Sequence, residues 1–177
     1  MGGVFTVVGY DLVLAQASIK VVEAENWVAA ARLRYLDYGE EGHPHQQQFQ
    51  LCCVFAGRQE PAITVEGLPF GPPEYKPRNR VVDTFTVVGW NGAAQDGVAD
   101  AVEGPDAASC ALAVWNMYDS QALNGEVAPF YQVVCAFRGI VPPGPLGSEW
   151  TYARYLRLKA EAIGEAAARP RARLAAG

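Results

Sequence analysis

The sequence predicts an α+β protein made of two tandem duplicated β-β-α-β units, packed with pseudo-two-fold symmetry and followed by a C-terminal helix. The pentapeptide FTVVG at residues 5–9 recurs unchanged at residues 85–89. The strand-like segment FQLCCVF at residues 49–55 is echoed by YQVVCAF at residues 131–137. The helix expected between these segments carries the same apolar spacing in both halves. Self-similarity on this scale indicates architecture before it indicates chemistry.

The first unit contains strands at residues 4–10 and 17–23, where β-branched and aromatic residues concentrate. Asn26 stands where the N-cap of a helix belongs, and a helix follows over residues 27–38. A polar loop then leads to a third strand at residues 49–56.

The second unit repeats this order. Strands are predicted at residues 83–90 and 97–103, and Asp106 caps a helix over residues 107–119. The last strand covers residues 130–138.

A right-handed crossover through each helix makes the second and third strands of a unit parallel, with the first strand between them in the order 2-1-3. One face of each helix should cover the sheet, because residues three and four apart lie on the same side. The matching positions are Val28, Ala31, Tyr35 and Tyr38 in the first helix and Ala108, Ala111, Trp115 and Tyr118 in the second.

The third strand of the first unit is apolar on both faces, with Phe49, Leu51, Cys53 and Phe55 on one side and Cys52, Val54 and Ala56 on the other. One helix covers one face only, so the second face needs another cover. We expect the halves to supply it to each other, either by joining edges into one sheet or by stacking face to face. A homodimer is the alternative source of this cover.

The chain therefore divides into a first repeat at residues 1–57, a proline-rich connector at 58–82, a second repeat at 83–139 and a C-terminal region at 140–177. Prolines fix φ and remove a hydrogen-bond donor, so the connector should be extended and add no further element. Its apolar residues are predicted to hold it to the core: Ile63, Val65, Leu68 and Phe70.

The C-terminal region combines a proline-rich turn, an amphipathic helix that begins at Ser148, and a basic tail. From Ser148 onward the charge is +3, with six cations and three anions, whereas the whole chain carries −5. An acidic body disfavours broad contact with nucleic-acid phosphates, and the basic arm is the exception. Because no apolar run approaches the length of a membrane span and no early cation marks an export signal, we expect a cytoplasmic protein without membrane contact.

No group of residues forms a catalytic, cofactor or metal site that we would assign from sequence. His43 and His45, with Glu40 and Glu41, offer ligand atoms, but their spacing matches no ligand motif and favours a solvated loop. The adjacent pair at residues 52–53 lacks the gap of a zinc or redox pair, and neighbours on a strand point to opposite faces. No Gly-x-Ser-x-Gly elbow or glycine-rich phosphate loop is present.

Two sets of aromatic residues are candidates for binding. Tyr10 and Trp90 occupy equivalent strand ends and would flank a shared groove, or else pack under the hairpin or between the halves. The C-terminal helix carries a candidate interaction patch in which aromatic and cationic side chains alternate, the composition that interfaces use as anchors: Trp150, Tyr152, Arg154, Tyr155, Arg157 and Lys159.

These features favour a non-enzymatic, cytoplasmic protein-interaction or scaffold module built from two repeats, with a protein partner and no cofactor. The first alternative is a nucleic-acid-associated accessory protein that uses the basic C-terminal arm. The second is an enzyme whose site lies between the repeats, which would require a cleft lined by convergent ionisable groups.

Overall fold

A computed structural model of the chain describes residues 2–40, 49–68, 82–92, 94, 96–123 and 131–144. The described part is an α+β structure dominated by strands, with two antiparallel sheets and two helices. The C-terminal helix, the tail and most of the proline-rich connector lie outside these residues.

The first sheet has strand order β2-β1-β3, and one helix follows its second strand. Its elements are β1 (Gly3–Asp11), β2 (Gln16–Ala24), α1 (Trp27–Glu40) and β3 (Phe49–Ala56). Strand β1 is antiparallel to both neighbours, as the predicted order 2-1-3 requires.

The second sheet has strand order β4-β7-β5-β6. Its elements are β4 (Pro61–Thr64), β5 (Asp83–Asn91), β6 (Asp96–Gly104), α2 (Ala107–Leu123) and β7 (Tyr131–Arg138). Strand β5 lies between β6 and β7 in the same antiparallel arrangement as β1 in the first sheet.

Both predicted helix caps are confirmed. The Asn26 side-chain Oδ1 accepts a hydrogen bond of 2.9 Å from the amide of Ala29, and Asp106 Oδ1 accepts one of the same length from the amide of Ser109. Each cap satisfies one of the backbone donors that a helix leaves unpaired at its start.

The prediction that the connector adds no element is wrong at its start. Residues Pro61–Thr64 form β4 at the edge of the second sheet, and a 3-10 turn follows at Val65–Gly67. Proline is tolerated here because it is the first residue of an edge strand. Ile63 and Leu68 pack on the second helix–sheet core and Val65 packs between the sheets, while Phe70 lies outside the described residues.

The faces of β3 differ from the predicted alternation because β3 contains a β-bulge. Val8 pairs with Cys53 and Gly9 pairs with Leu51, so Cys52 is the extra residue. Cys52 and Cys53 therefore both belong to the core between the sheets, while Leu51 and Val54 face α1. A strict period of two cannot predict this, since one inserted residue reverses the faces beyond it.

Strand β7 carries the same irregularity at the matching place. Val88 pairs with Cys135 and Gly89 pairs with Val133, which leaves Val134 as the extra residue. Val134 and Cys135 both lie in the core between the sheets.

The predicted helix stripe is shifted by about one position. The buried residues of α1 include Ala30, Ala31 and Arg34, and those of α2 are Ala107, Cys110, Ala111 and Val114. Trp115, predicted to face the sheet, is 42 % exposed, whereas Tyr118 does pack on the core. The side chains of Tyr35 and Tyr38 lie outside the described part.

The sheets stack face to face, and their inner faces form one apolar core that we call the seam. Its buried members come from both sheets: Val8, Tyr10, Cys52, Cys53, Phe55, Val88, Trp90, Val134, Cys135 and Phe137. Helix α1 covers the outer face of the first sheet and α2 that of the second. The described elements thus form four layers in the order helix, sheet, sheet, helix.

Each sheet also fixes the chain that leaves its last long strand through a buried threonine. Thr6 Oγ1 donates to the carbonyl of Gly57 and accepts from the amide of Gln59, both at 2.8 Å. Thr86 Oγ1 makes the corresponding pair of 2.8 Å bonds with Gly139 and Val141. These bonds set the direction in which each exit segment crosses to the other sheet.

Two glycines in the middle of β1 and β5 are required by close packing. A Cβ at Gly9 would overlap the ring of Phe49, and one at Gly89 would overlap the ring of Tyr131. The aromatic side chain of the neighbouring strand thus lies directly on the glycine backbone, opposite the start of the bulge.

We therefore expect Gly9→Ala and Gly89→Ala each to lower the free energy of unfolding by about 1–3 kcal/mol, the usual cost of overpacking a filled core. Urea denaturation measures this. Gly67→Ala is the control, because a Cβ there would meet Ile63 Cγ1 at an ordinary 3.5 Å. If all three variants were equally stable, the rings would not be fixed on the glycines.

Candidate functional site

The hairpin between β1 and β2 ends in an exposed apolar tip formed by Leu12, Val13 and Leu14. Their side chains are 43 %, 52 % and 43 % exposed. Asp11, itself buried, holds the turn, because its Oδ1 accepts hydrogen bonds of 2.8 Å from the amides of Val13 and Leu14. Such local side-chain bonds favour a defined turn over a loose loop. The tip therefore presents three large apolar residues in a fixed conformation.

The hairpin between β5 and β6 has the same length and the same register but a different tip. Asp11 pairs with Gln16 in the first hairpin, and Asn91 pairs with Asp96 in the second. Asn91 Oδ1 accepts a 3.1 Å bond from the amide of Ala94. Its tip sequence is Gly-Ala-Ala-Gln, where the first hairpin has Leu-Val-Leu-Ala. A hairpin with this loop length and register therefore does not need large apolar residues at its tip.

The base of the apolar tip is tied to the 3-10 turn by Glu66. Its Oε1 accepts a 2.8 Å hydrogen bond from the amide of Ala17, close to the start of edge strand β2. Burial acts to raise the pKa of Glu66, but hydrogen bonds from Thr64, from its own amide and from Ala17 outweigh burial and lower it. This carboxylate also blocks one of the open donors of the edge strand.

Tyr10 and Trp90, the candidate groove aromatics, are buried in the seam. They are 6 % and 3 % exposed. Neither ring offers a free face on which a base or a peptide could stack. Both rings pack in the core between the two sheets.

The described part of the seam is largely apolar, and the polar groups of its buried members are three thiols, the Tyr10 hydroxyl and the Trp90 ring nitrogen. The carboxylates of Asp96 and Asp100 lie near enough to act on Cys53. Burial raises the pKa of Cys52 and Cys135, and it raises that of Cys53 to about 12. A thiol acts as a nucleophile or metal ligand through its thiolate, which these surroundings disfavour. Within the described ranges, no three His, Cys, Asp or Glu side chains come close enough together to hold a metal ion.

The polar side chains under the two helices differ between the halves. Under α1, buried Arg34 donates to Ser18 Oγ and lies 5.6 Å from the centre of the Phe49 ring. Lys20 forms an ion pair of 3.4 Å with Asp37 beside them.

Under α2, Tyr118 donates a 3.2 Å bond to Asp100 and its ring stacks on Tyr131 at 4.1 Å. Burial, together with the Asp100 carboxylate, raises the pKa of Tyr118 to about 12. Burial likewise raises the pKa of Tyr131, whose hydroxyl is buried without a hydrogen-bond partner among the described residues. Phenols with such raised pKa values do not act as bases near neutral pH, so this cluster has no evident role in acid–base chemistry.

The remaining predicted positions lie outside the described residues. They include the interaction patch (Trp150, Tyr152, Arg154, Tyr155, Arg157 and Lys159) and the loop with His43 and His45. The patch stays a prediction. The apolar tip, in contrast, was missed in the sequence, where a run of three large apolar residues between two strands is the signal that could have found it.

No protein-family model matches this chain, and no curated protein matches it. Of the helices in the described ranges, none has both the length and the hydropathy needed to cross a membrane.

The four thiols give a direct test of the packed seam and helix cores. All four cysteines are free and buried, and burial is the first cause of the raised pKa of each. At pH 8, we expect none of the four cysteines of the native protein to react with a thiol reagent in the time that a small free thiol needs to react fully. In concentrated urea, we expect all four to react. Fast labelling of any cysteine in the native protein would show that its layer opens.

The Glu66 contact predicts a pH dependence of stability. Because folding lowers the pKa of Glu66, its contribution is present at pH values above 4.5, the ordinary pKa, and is lost as the pH falls through the lower folded value. We expect Glu66→Gln to reduce the acid sensitivity of the free energy of unfolding in that window. Urea denaturation at a series of pH values measures this, with exposed Glu60→Gln as the control. Equal acid sensitivity of Glu66→Gln and the unmodified protein would refute the assignment.

Proposed function

We propose that this chain is a non-enzymatic, cytoplasmic protein-interaction module, built from two β-β-α-β repeats packed with pseudo-two-fold symmetry. Matched features of the halves support the two-repeat construction. They include the strand order, the bulge in the third strand, the aromatic ring on a glycine and the threonine at the exit. Four free, buried thiols fit a reducing compartment.

The difference between the two hairpin tips is the observation that carries the interaction role. Exposed large apolar residues are costly in solution and are unnecessary for this turn, as the tip of the second hairpin demonstrates. Leu12, Val13 and Leu14 therefore have a use outside the fold, and insertion into an apolar pocket of a partner protein is the use that fits their chemistry.

The charge of the described residues indicates what surrounds that pocket. They carry thirteen carboxylates against five Lys and Arg, a net charge of −8. A basic partner surface would be attracted, and a second acidic copy of this body would be repelled. We therefore propose that the tip binds a pocket of the partner protein that has apolar walls and a basic rim.

The apolar seam also bears on the enzyme alternative. A cryptic active site between the repeats needs convergent ionisable groups. The buried members of the described seam are mainly apolar, and the pKa values of its thiols and of the Tyr10 hydroxyl are raised. Nucleic-acid binding, the other alternative, would have to act through the basic arm, since the described body is acidic.

Transplanting one tip onto the other hairpin tests the proposal. The triple variant Leu12→Gly, Val13→Ala, Leu14→Ala gives the first hairpin the first three tip residues of the second and leaves Ala15 in place. We expect the free energy of unfolding to change by less than about 1 kcal/mol, because surface changes cost little, and partner binding to be lost. A photo-crosslinking residue at position 13 should form a covalent adduct with the partner protein. An excess of the unlabelled native chain should suppress this adduct, whereas an excess of the triple variant should not.

The matched control carries the crosslinking residue at position 94, on the tip of the second hairpin. Adducts of equal yield at both positions, no adduct at position 13, or full competition by the triple variant would each rule out the tip as the docking element. An adduct with nucleic acid that disappears steeply with added salt would favour the basic-arm alternative instead.

A further inference from the structure

The seam joins the two halves in a reciprocal way that the sequence did not reveal. The chain leaving β3 crosses to the second sheet, where β4 pairs with β7 and Pro61 lies opposite Phe137. The chain leaving β7 crosses to the first sheet, where Pro143 lies opposite Phe55. Each half thus lends an exit segment, which we call its arm, to the edge of the other sheet.

The second arm is also bound to the sheet that it reaches. The amide of Gly144 donates a 2.8 Å bond to the carbonyl of Val54, and its backbone lies so close to the Trp27 ring that a Cβ would overlap it. Both arms begin at the buried threonines, since Thr6 and Thr86 set the exit direction through Gly57 and Gly139.

The centre of the seam pairs equivalent residues with each other. The rings of Phe55 and Phe137, which occupy the same place in β3 and β7, meet edge to face at 5.2 Å. In an interface between two identical bodies, residues on the two-fold axis contact their own equivalents and residues away from it contact one another reciprocally. Phe55–Phe137 is a contact between equivalent residues, as expected on the two-fold axis. The two arms are reciprocal contacts, as expected away from it.

We propose that the seam is a self-recognition interface between copies of one unit, so that the chain is a covalently tethered dimer whose halves bind each other without a covalent link between them. This inference rests on the two-repeat construction proposed above, but not on the apolar tip. The inner face of each half therefore fits another unit of the same kind.

The two sheets are in close contact where β6 meets the bulge of β3. A Cβ at Gly97 would overlap the carbonyl group of Cys52, so any side chain at this position must push the sheets apart. Gly97→Val is therefore a seam variant, and Ala94→Val, on the exposed tip of the same hairpin, is its matched control.

The test uses the full chain with a protease recognition sequence inserted within residues 69–81. After cleavage we expect the two pieces to elute together at the mass of the intact chain, with unchanged near-ultraviolet circular dichroism, and to separate in urea. In the intact chain a short tether supplies an effective concentration of about millimolar, so Gly97→Val stays closed there. Once cleaved, this variant should dissociate at a concentration at least tenfold higher than the Ala94→Val control.

If the cleaved native protein separates or loses its tertiary signal, the halves need their covalent link and the proposal is overturned. Equal dissociation of the cleaved Gly97→Val and Ala94→Val proteins would also overturn it, because the seam would then not hold the pieces together. Should intact Gly97→Val fail to fold, Gly97→Ala gives the same comparison with a smaller displacement. The tip residues lie outside the seam, so either result leaves the tip transplant experiment interpretable.

Discussion

Each sheet of this protein is apolar on both faces, and this constraint determines the rest of the structure. A single helix covers one face of a three-stranded sheet and leaves the other exposed to water. At roughly 25 cal/mol per Å² of apolar surface, leaving rings such as Phe55 and Phe137 in water would offset much of what a unit of this size gains on folding. Stacking the two inner faces removes that cost for both halves at once. The seam is therefore the element on which both sheets depend.

The bulges adapt the strands to this double burial. Without the extra residue in β3, Cys53 and Phe55 would share a face with Phe49 and Leu51. Because of the bulge, Phe49 and Leu51 face the helix whereas Cys53 and Phe55 face the seam. Gly9 and Gly89 are part of the same arrangement. Because neither has a side chain, an aromatic ring of the neighbouring strand can lie over the glycine backbone beside the bulge.

Much of the fold could be read from the sequence because it depends on local signals. Periodicity and caps located the strands and both helices, and Asn26 and Asp106 bind the predicted backbone donors. What the sequence could not show depends on geometry between elements. The bulge at Cys52, the arm that begins at Pro61 and the exposure of Trp115 follow from how the layers meet, and no residue pattern announces them.

The candidate site was harder to predict, because burial had to be known first. Tyr10 and Trp90 stand at matching strand ends in the sequence. If the chain consists of two repeats, as we propose, matching positions also mark the residues that the halves bury against each other. Leu12, Val13 and Leu14 differ from their counterparts, and only the structure shows that they are exposed. The symmetry that drew attention to the aromatics thus pointed to the seam.

If the halves are copies, as we propose, the positions that are identical in both indicate what the fold requires, and the exposed positions that differ indicate where one half has a separate function. FTVVG is unchanged in β1 and β5 because each of its residues meets a helix, a bulge, a threonine bond or the seam, which leaves little room for substitution. The hairpin tips meet none of these, so their sequences were free to differ at little cost to the fold. A function acquired by one copy would then be found at an exposed position where the copies differ. In the two matching hairpins of the described part, that position is the apolar tip. The same reasoning places self-recognition at the seam and partner recognition at the tip, on surfaces that do not overlap.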